Sequence, residues 1–342
     1  MDSSPAPKSV TLDSLDKRIV RSLQISPRVP FRRLAEVLDV SERTVARRYN
    51  ALYRAGTLRV AANVDPTALG ESDWIVRVRT RPDAVLDLGG ALAQRRDVAW
   101  VAVTAGGAEV VCSVRSHTQE QREHLLLGRL PRSGAVLDVA LSVILRRFVG
   151  GRATDLIGDQ DVLTPDQVER LARDMPASRR ATSRVIGSLE PVDYAMLKAL
   201  GRDGRASIGA LARAAGISEG RAARRLETLL TDGVVYLHVD LSATALGYPV
   251  EAYLWLTVQP AAVEATCRAL SEHPETLFVA AVTGRTNVIA WLTCRSLDDL
   301  YRYITERTGG LDGVREVEVA PVLRRLKQSG TRVDGTRLEI PG

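Results

Sequence analysis

Length, composition and charge limit the kind of protein that this chain forms. Its 342 residues exceed what one hydrophobic core usually holds, so we expect more than one domain. The 45% of hydrophobic and 26% of charged residues are typical of a globular protein, and no apolar run approaches the roughly 20 residues of a membrane span, so we expect a cytoplasmic protein with no membrane partner. The net charge of +6 favours a polyanionic partner.

The chain start and the cysteines give no sign of secretion or metal binding. Residues 1–10 are rich in Ser and Pro and lack an apolar core, which predicts a disordered leader instead of a signal peptide. Cys112, Cys267 and Cys294 stand apart in apolar stretches without C-x-x-C spacing. We therefore expect buried thiols, no disulfide and no metal site.

Residues 11–62 have the periodicity of three short amphipathic helices. Apolar side chains recur every three to four residues within 12–23, 31–38 and 45–52. The break at residues 39–41 reads Asp-Val-Ser, and Asp tolerates the left-handed conformation of a tight turn while Ser is a preferred N-cap. This pattern predicts a helix-turn-helix.

Residues 70–149 alternate between strand-like and helical stretches in the order βαββαβ. This order predicts a ferredoxin-like α+β domain whose sheet has one bare face, and we expect that face to pack on another such sheet. The predicted elements span residues 74–80, 84–94, 98–104, 109–115, 118–129 and 135–147.

The second half of the chain repeats the first. After a linker at residues 150–186, with one capped helix at Thr164-Pro165-Asp166-Gln167, a second helix-turn-helix is predicted at 187–240 and a second βαββαβ domain at 247–327. The turn of the second copy reads Gly216-Ile217-Ser218. At an offset of 177 residues, thirteen positions of the first copy are identical in the second: Leu12, Asp16, Leu23, Arg28, Leu34, Ala35, Ser41, Arg47, Arg48, Leu52, Gly56, Leu69 and Gly70.

An ordered set of residues carries a family resemblance over nearly the whole chain. It comprises Leu12-Asp13-x-x-Asp16 with Ile19 and Leu23, Leu34-Ala35, Ser41-x-x-x-Val45, Arg47-Arg48, Gly56 and Asp65-x-x-x-Leu69-Gly70. With βαββαβ following, the chain resembles the Lrp/AsnC regulators in a tandem-duplicated form. The resemblance implies two winged or helix-turn-helix DNA-binding domains, each followed by an effector domain of the RAM type. It also implies double-stranded DNA and a small effector, often an amino acid, as partners, and self-association through the effector domains.

The DNA-reading positions follow from the helix-turn-helix, in which the N-terminal residues of the third helix meet base edges and flanking basic groups hold phosphates. A solvated cationic helix face is the alternative interpretation. The predicted DNA-binding residues are Arg32, Arg33, Ser41, Glu42, Arg43, Thr44, Arg47 and Arg48 in the first copy and Ser218, Glu219, Arg221, Arg224 and Arg225 in the second.

The two copies differ in charge. Residues 1–60 contain 12 Lys and Arg against 6 Asp and Glu, whereas residues 189–240 contain 7 of each. Arg43 of the first copy corresponds to Gly220, and Thr44 to Arg221. We therefore expect the first copy to be the stronger DNA ligand, and we do not expect the two copies to read identical bases. A second copy that mainly packs or holds phosphates is the alternative.

The family resemblance also implies an effector pocket at a loop of the type Gly-x-x-Asp between the second and third strands. The matching loops are Gly106-Gly107-Ala108-Glu109 and Gly284-Arg285-Thr286-Asn287, each preceded by a threonine, and a plain hairpin turn is the alternative. Glycine amides would hold a carboxylate and Glu109 an ammonium group, whereas Asn287 would only hydrogen-bond. The predicted effector-binding residues are Thr104, Gly106, Glu109, Thr283, Gly284 and Asn287.

Two other functions stay open at this point. The first is a small-molecule sensor without DNA binding. The second is an enzyme, since tandem proteins of similar architecture resemble the sirohaem decarboxylases. Because His117, His124, His238 and His273 are lone and unmatched between copies, we expect no enzyme, no catalytic residue and no cofactor.

Overall fold

The computed structural model describes residues 12–115, 123–130, 133–150, 162–173 and 189–340. The predicted leader and the first part of the predicted helix at 118–129 lie outside these residues. No helix in the described part of the chain is long and apolar enough to cross a membrane.

The first helix-turn-helix is built as the periodicity predicts. Helices α1 (Ser14–Ile25), α2 (Phe31–Leu38) and α3 (Glu42–Arg54) enclose a core that includes Ile19 and Leu34, both fully buried. Asp39 at the turn has φ 55°, as expected for the left-handed conformation. We refer to α1–α3 as the first head.

The second head repeats this arrangement with α6 (Pro191–Arg202), α7 (Ile208–Ala215) and α8 (Glu219–Thr231). Gly216 takes the place of Asp39 with φ 65°. The predicted capped helix of the linker is α5 (Pro165–Ala172), with a capping box between Thr164 and Gln167.

One two-stranded ribbon joins the two heads. Strands β1 (Leu58–Val64) and β6 (Val235–Leu241) each follow a third helix and pair antiparallel over their full length, from Leu58 opposite Leu241 to Val64 opposite Val235. The predicted wing is therefore shared, because the strand of each head has the strand of the other as its partner.

Both effector domains contain the predicted elements. The first has β2 (Asp73–Thr80), α4 (Val85–Gln94), β3 (Val98–Thr104), β4 (Glu109–Arg115), a π-helical segment at His124–Arg129 and β5 (Val136–Val149). The second has β7 (Val250–Val258), α9 (Val263–Glu272), β8 (Thr276–Val282), β9 (Val288–Cys294), α10 (Leu297–Arg302) continued as π-helix to Thr308, and β10 (Val314–Pro321).

Strands cross between the two effector sheets. The first part of β5 pairs with β2 and its last residues pair with β8 of the other copy. In the same way β11 (Arg324–Gln328), which follows β10, pairs with β3 of the first copy. The chain ends in short strands β12 (Thr331–Asp334) and β13 (Arg337–Leu338), and Leu338 donates a backbone hydrogen bond to Gly56 below the first head.

The inner faces of the two sheets pack on each other, as the bare faces predicted. Side chains of both copies form one core, in which Trp100 meets Trp291 edge-on with ring centroids 4.7 Å apart. The predicted packing of one bare sheet face on another is thus made within one chain. The three cysteines are buried and free, and burial raises the pKa of the Cys112 thiol to about 12.

Candidate nucleic-acid interface and effector loops

The recognition helix of the first head starts at a well-formed cap. Ser41 Oγ accepts a hydrogen bond from the Thr44 backbone N–H at 3.1 Å and lies 2.8 Å from Thr44 Oγ1. Such a cap satisfies one of the orphan N–H groups of the first turn. Both predicted DNA-binding hydroxyls are therefore engaged in holding the start of α3.

Three predicted side chains project from this start into solvent. Glu42, Arg43 and Arg47 are exposed, and Arg43 and Arg47 stand one helical turn apart on the same face. Neither arginine forms an ion pair with another residue in the described part of the chain. They are available to a base edge or a phosphate.

Arg32 and Arg33 lie at the N-terminal end of α2, and both reach Glu36. The distances are 3.4 Å from Arg32 Nε and 3.3 Å from Arg33 Nη1 to the Glu36 carboxylate. Arg32 is 83% exposed, so this pair is weak and the guanidinium can exchange Glu36 for a phosphate.

Arg48 and Arg225, also predicted to contact DNA, have an internal role. Arg48 Nη1 lies 2.6 Å from Asp13 and 3.4 Å from Asp16, the capping residues of α1. Arg225 donates two hydrogen bonds to the Asp193 carboxylate, from Nε and Nη2, both at 2.6 Å. These pairs tie each third helix to the start of the first, and DNA contact by these two arginines stays a prediction.

The second head presents a similar but weaker surface. Ser218 caps α8 through the Arg221 backbone N–H at 3.4 Å, and Glu219, Arg221 and Arg224 are exposed. Where the first head has Arg43, Gly220 leaves no side chain. The two heads therefore offer different groups at the predicted base-reading positions.

Helix α5 supports the first head in a way that the sequence analysis missed. Leu171 is fully buried in the core of that head, and Gln167 Nε2 donates to the Val37 carbonyl at 2.9 Å. The capping box revealed the helix, but only its apolar face, Val168 and Leu171, hinted at a docking partner.

Arginines 28 and 205 were also missed as functional candidates, although both belong to the thirteen repeated identities. Each donates to backbone carbonyls of the opposite head. Burial lowers the pKa of both guanidinium groups. They fix how the two recognition helices stand relative to each other.

The first effector loop uses its acidic residue internally. Glu109 is 3% exposed, accepts hydrogen bonds from Arg77 Nε and from Thr104 Oγ1, both at 2.8 Å, and so has no free oxygen facing solvent. Arg77 also donates a hydrogen bond to Glu318 of the second copy, and this hydrogen bond lowers the pKa of Glu318. The expectation that Glu109 pairs with an ammonium group is corrected: it links the two effector domains.

The polar side chains of the second effector loop also form hydrogen bonds within the protein. Asn287 exchanges two hydrogen bonds with the Val258 backbone, at 2.8 and 2.7 Å, and Thr283 Oγ1 accepts from the Val143 N–H at 2.9 Å. Gly106 and Gly284 have φ 67° and 118°, which favour glycine. Only the glycine backbones of these loops stay predicted effector contacts.

Comparison with known domains matches both heads and one effector domain. Residues 12–52 and 189–230 match the AsnC-type helix-turn-helix domain. Residues 251–332 match the Lrp/AsnC ligand binding domain. The double match of the helix-turn-helix agrees with the internal repeat.

Curated relatives are about half as long as this chain. An HTH-type transcriptional regulator of Pyrococcus abyssi is 30% identical over 153 residues, which are 44% of this chain and 96% of that protein. The HTH-type transcriptional regulator Ptr1 of Methanocaldococcus jannaschii is 28% identical over 153 residues, 44% of this chain and 99% of that protein.

A solved structure matches the whole tandem arrangement. The siroheme decarboxylase NirDL, solved with an iron-uroporphyrin III analogue, superposes with a TM-score of 0.54 over 95% of both chains at 14% identity. At that identity the likeness concerns the fold.

Proposed function

The chain belongs to the Lrp/AsnC family of DNA-binding transcriptional regulators, and from that premise we propose that it reads its operator through two unequal heads held in one chain. The observation that carries this proposal is the exposed pair Arg43 and Arg47 on α3, which have no acidic partner in the described residues. Arginine is the side chain best suited to guanine edges and phosphates.

The charge balance supports a leading role for the first head. Residues 1–60, which include the first head, have six more basic than acidic residues. Residues 189–240, which include the second head, have equal numbers of the two. Because nucleic-acid affinity rises with the number of phosphates neutralised, the first head contributes more to binding. Arg32 and Arg33 extend its basic edge, whereas Arg48 and Arg225 hold the heads in shape.

We further propose that an amino acid or a related small molecule regulates the protein in the cytoplasm, and that chains associate through their effector domains. The support is the family and the presence of two effector domains in each chain. Since the inner sheet faces already cover each other within one chain, association between chains would use other surfaces.

We infer regulation and not catalysis. His273 Nδ1 lies 2.9 Å from the Tyr303 hydroxyl, and His238 Nε2 lies 3.3 Å from Asp240, so both rings make internal contacts. His117 and the side chain of His124 lie outside the described residues. Absorbance titration with an iron tetrapyrrole tests the alternative suggested by the shared fold, and a stoichiometric shift of the Soret band would favour it.

The experiment that tests the proposal compares two double variants by gel shift at fixed salt. Arg43→Ala with Arg47→Ala removes contacts worth about 1–3 kcal/mol each, so we expect at least a roughly tenfold loss of operator affinity. Arg221→Ala with Arg224→Ala is the comparison variant of the second head, in which Arg224 matches Arg47 and Arg221 matches Thr44, and it should lose less. Equal losses of affinity in the two double variants would contradict the proposal of unequal heads. Absence of DNA binding by the unmodified chain would favour the alternative of a small-molecule sensor without DNA binding.

A further inference from the structure

A cavity lies between the inner faces of the two effector sheets. Its volume is about 90 Å³, several times the roughly 10–15 Å³ that a single water molecule requires. Strands of both effector copies line it, and so does β6 of the ribbon between the heads. It is distinct from the two glycine-rich loops.

Aromatic side chains form the walls of this cavity. Trp100 comes from the first copy, and Tyr253, Phe278 and Trp291 come from the second. Tyr253 and Trp291 are nearly parallel, with an interplanar angle of 27° and ring centroids 6.4 Å apart. Such walls suit the faces of a flat apolar group.

Two guanidinium groups meet one carboxylate in the cavity lining. Asp73 is 5% exposed and forms ion pairs with Arg115, at 3.3 Å, and with Arg147. Tyr236 and Asp65 also lie near Arg115. Burial acts to lower the pKa of Arg115, but its interactions with Tyr236, Asp73 and Asp65 raise it overall.

Five donor atoms in the lining are buried without a hydrogen-bond partner within the part of the chain that the structure describes: Arg115 Nε, Arg147 Nε, Ser113 Oγ, Tyr236 Oη and Trp291 Nε1. Among the lining acceptors, Asp73 Oδ1 also lacks a hydrogen bond, but it lies 3.3 Å from Arg115 Nε in an ion pair. Ser113 and Trp291 are each only 7% exposed. Buried donors without partners are rare in native proteins, and a set of them in one cavity indicates a missing acceptor.

Asp240, the other acidic group in the lining, is already satisfied. Its Oδ2 accepts from Thr331 Oγ1 at 2.7 Å, and its Oδ1 faces His238 at 3.3 Å. Burial acts to raise its pKa, but the pKa is lowered by His238 and Thr331. The unpartnered groups of the lining are thus mainly donors, which a ligand acceptor would satisfy.

We propose that this inter-sheet cavity binds a small carboxylate with a flat apolar body, and that the ligand acts on the heads through the ribbon. The carboxylate oxygens accept from the groups around Arg147, and the apolar body lies among the aromatic walls. This inference rests on the proposed regulatory function and supplies its ligand class.

The position of β6 provides the route to DNA. Tyr236, Val239 and Leu241 line the cavity, and β6 pairs with β1 along its whole length. Both strands start within four residues of the end of a recognition helix. A ligand that contacts β6 therefore touches the element that sets the position of both heads, and coupling between ligand and DNA is reciprocal.

The test uses phenylacetate as probe and the full chain as protein. Trp100 and Trp291, two of the four tryptophans, line the cavity, so binding should quench tryptophan fluorescence saturably. Phenylacetamide, which has the same shape without the charge, should bind at least about tenfold more weakly. Arg147→Gln should lose about tenfold in phenylacetate affinity. Arg146→Gln is the neighbouring control, because Arg146 is 58% exposed and pairs with Glu264 outside the cavity.

A second variant separates loss of binding from loss of folding. Ser113→Leu fills the cavity and removes an unpaired hydroxyl without touching the ion pairs, so it should abolish phenylacetate binding while thermal unfolding and DNA binding stay intact. No saturable binding by the unmodified chain at millimolar phenylacetate, or unchanged binding by both variants, would overturn the proposed site. An operator affinity that saturating phenylacetate leaves unchanged would overturn the coupling. Ligand binding without any DNA binding would instead refute the proposed regulator.

Discussion

Arg28 and Arg205 each form hydrogen bonds to the turn of the opposite head that contains the other arginine. Arg28 donates to the carbonyls of Gly204 and Ala206 at 2.6 and 2.8 Å, and Arg205 donates to those of Pro27 and Val29, both at 2.7 Å. The two arginines are equivalent positions of the repeat, so the contact is reciprocal. Together with the ribbon it makes the two heads one unit.

We expect Arg205→Met to lower the free energy of unfolding by about 2 kcal/mol, because two hydrogen bonds from a charged donor are lost and two buried carbonyls lose their donors. Operator affinity should fall as well, since the heads lose their fixed spacing. Urea unfolding and gel shift measure the two effects. Arg202→Met, at the exposed last residue of the preceding helix α6, is the control and should stay within about 0.5 kcal/mol.

Arg225 and Arg224 are neighbours with opposite expected roles. Arg225→Ala leaves the buried Asp193 carboxylate without its guanidinium and should destabilise by about 2 kcal/mol, less than the value for a fully buried pair because Arg225 is 27% exposed. Arg224→Ala, on the exposed face, should leave stability within about 0.5 kcal/mol and act on DNA binding alone. Equal unfolding midpoints for the two variants would contradict this division.

Asp193 and Asp16 occupy the same position of the repeat, and their pKa values shift in opposite directions. Burial acts to raise the pKa of Asp193, but Arg225 and the Glu190 backbone lower it overall. Its ionised form therefore stabilises the fold above the pKa of the unfolded chain, near 4, and this contribution is lost as the pH falls through the lower folded pKa. Burial raises the pKa of Asp16, so Asp16 gives up stability as the pH rises.

We therefore expect Asp193→Asn to flatten the loss of stability below about pH 4, and Asp16→Asn not to do so. Unfolding midpoints between neutral and acidic pH, measured on both variants and the unmodified chain, provide the test. The interpretation fails when both substitutions change the acid limb in the same direction.

The operator should consist of two dissimilar half-sites for each chain. A homodimer with identical heads requires a palindrome, because half-sites mirror the protein two-fold axis. Here Arg43 of the first head corresponds to Gly220 of the second, and Thr44 corresponds to Arg221. An arginine contact to guanine discriminates between bases by about 1–3 kcal/mol. A palindrome is then expected only for two chains together.

Binding-site selection followed by footprinting measures this. The Arg43→Ala and Arg221→Ala variants should relax the base preference in different halves of the selected site. A short perfect palindrome, with its halves contacted by the two heads of one chain, would show that both heads read the same sequence.

The sequence by itself determined the repeat, the helices and strands, and the exposed position of the arginines that we propose to read DNA. These features depend on local periodicity and on short capping motifs, such as Ser41 before α3 and Asp39 in the left-handed turn, which act within a few residues. The alternation of apolar side chains likewise predicted that the bare sheet faces would be covered.

Only the tertiary structure decided which polar groups remain free for function. Arg48, Arg225 and Glu109 have the residue types of a binding site, but each meets an oppositely charged partner 32 to 35 positions away along the chain. Periodicity does not encode such distant pairs, because they depend on how elements pack. The same holds for the Arg28 and Arg205 exchange across about 177 residues and for the inter-sheet cavity, which exists only where two repeats meet.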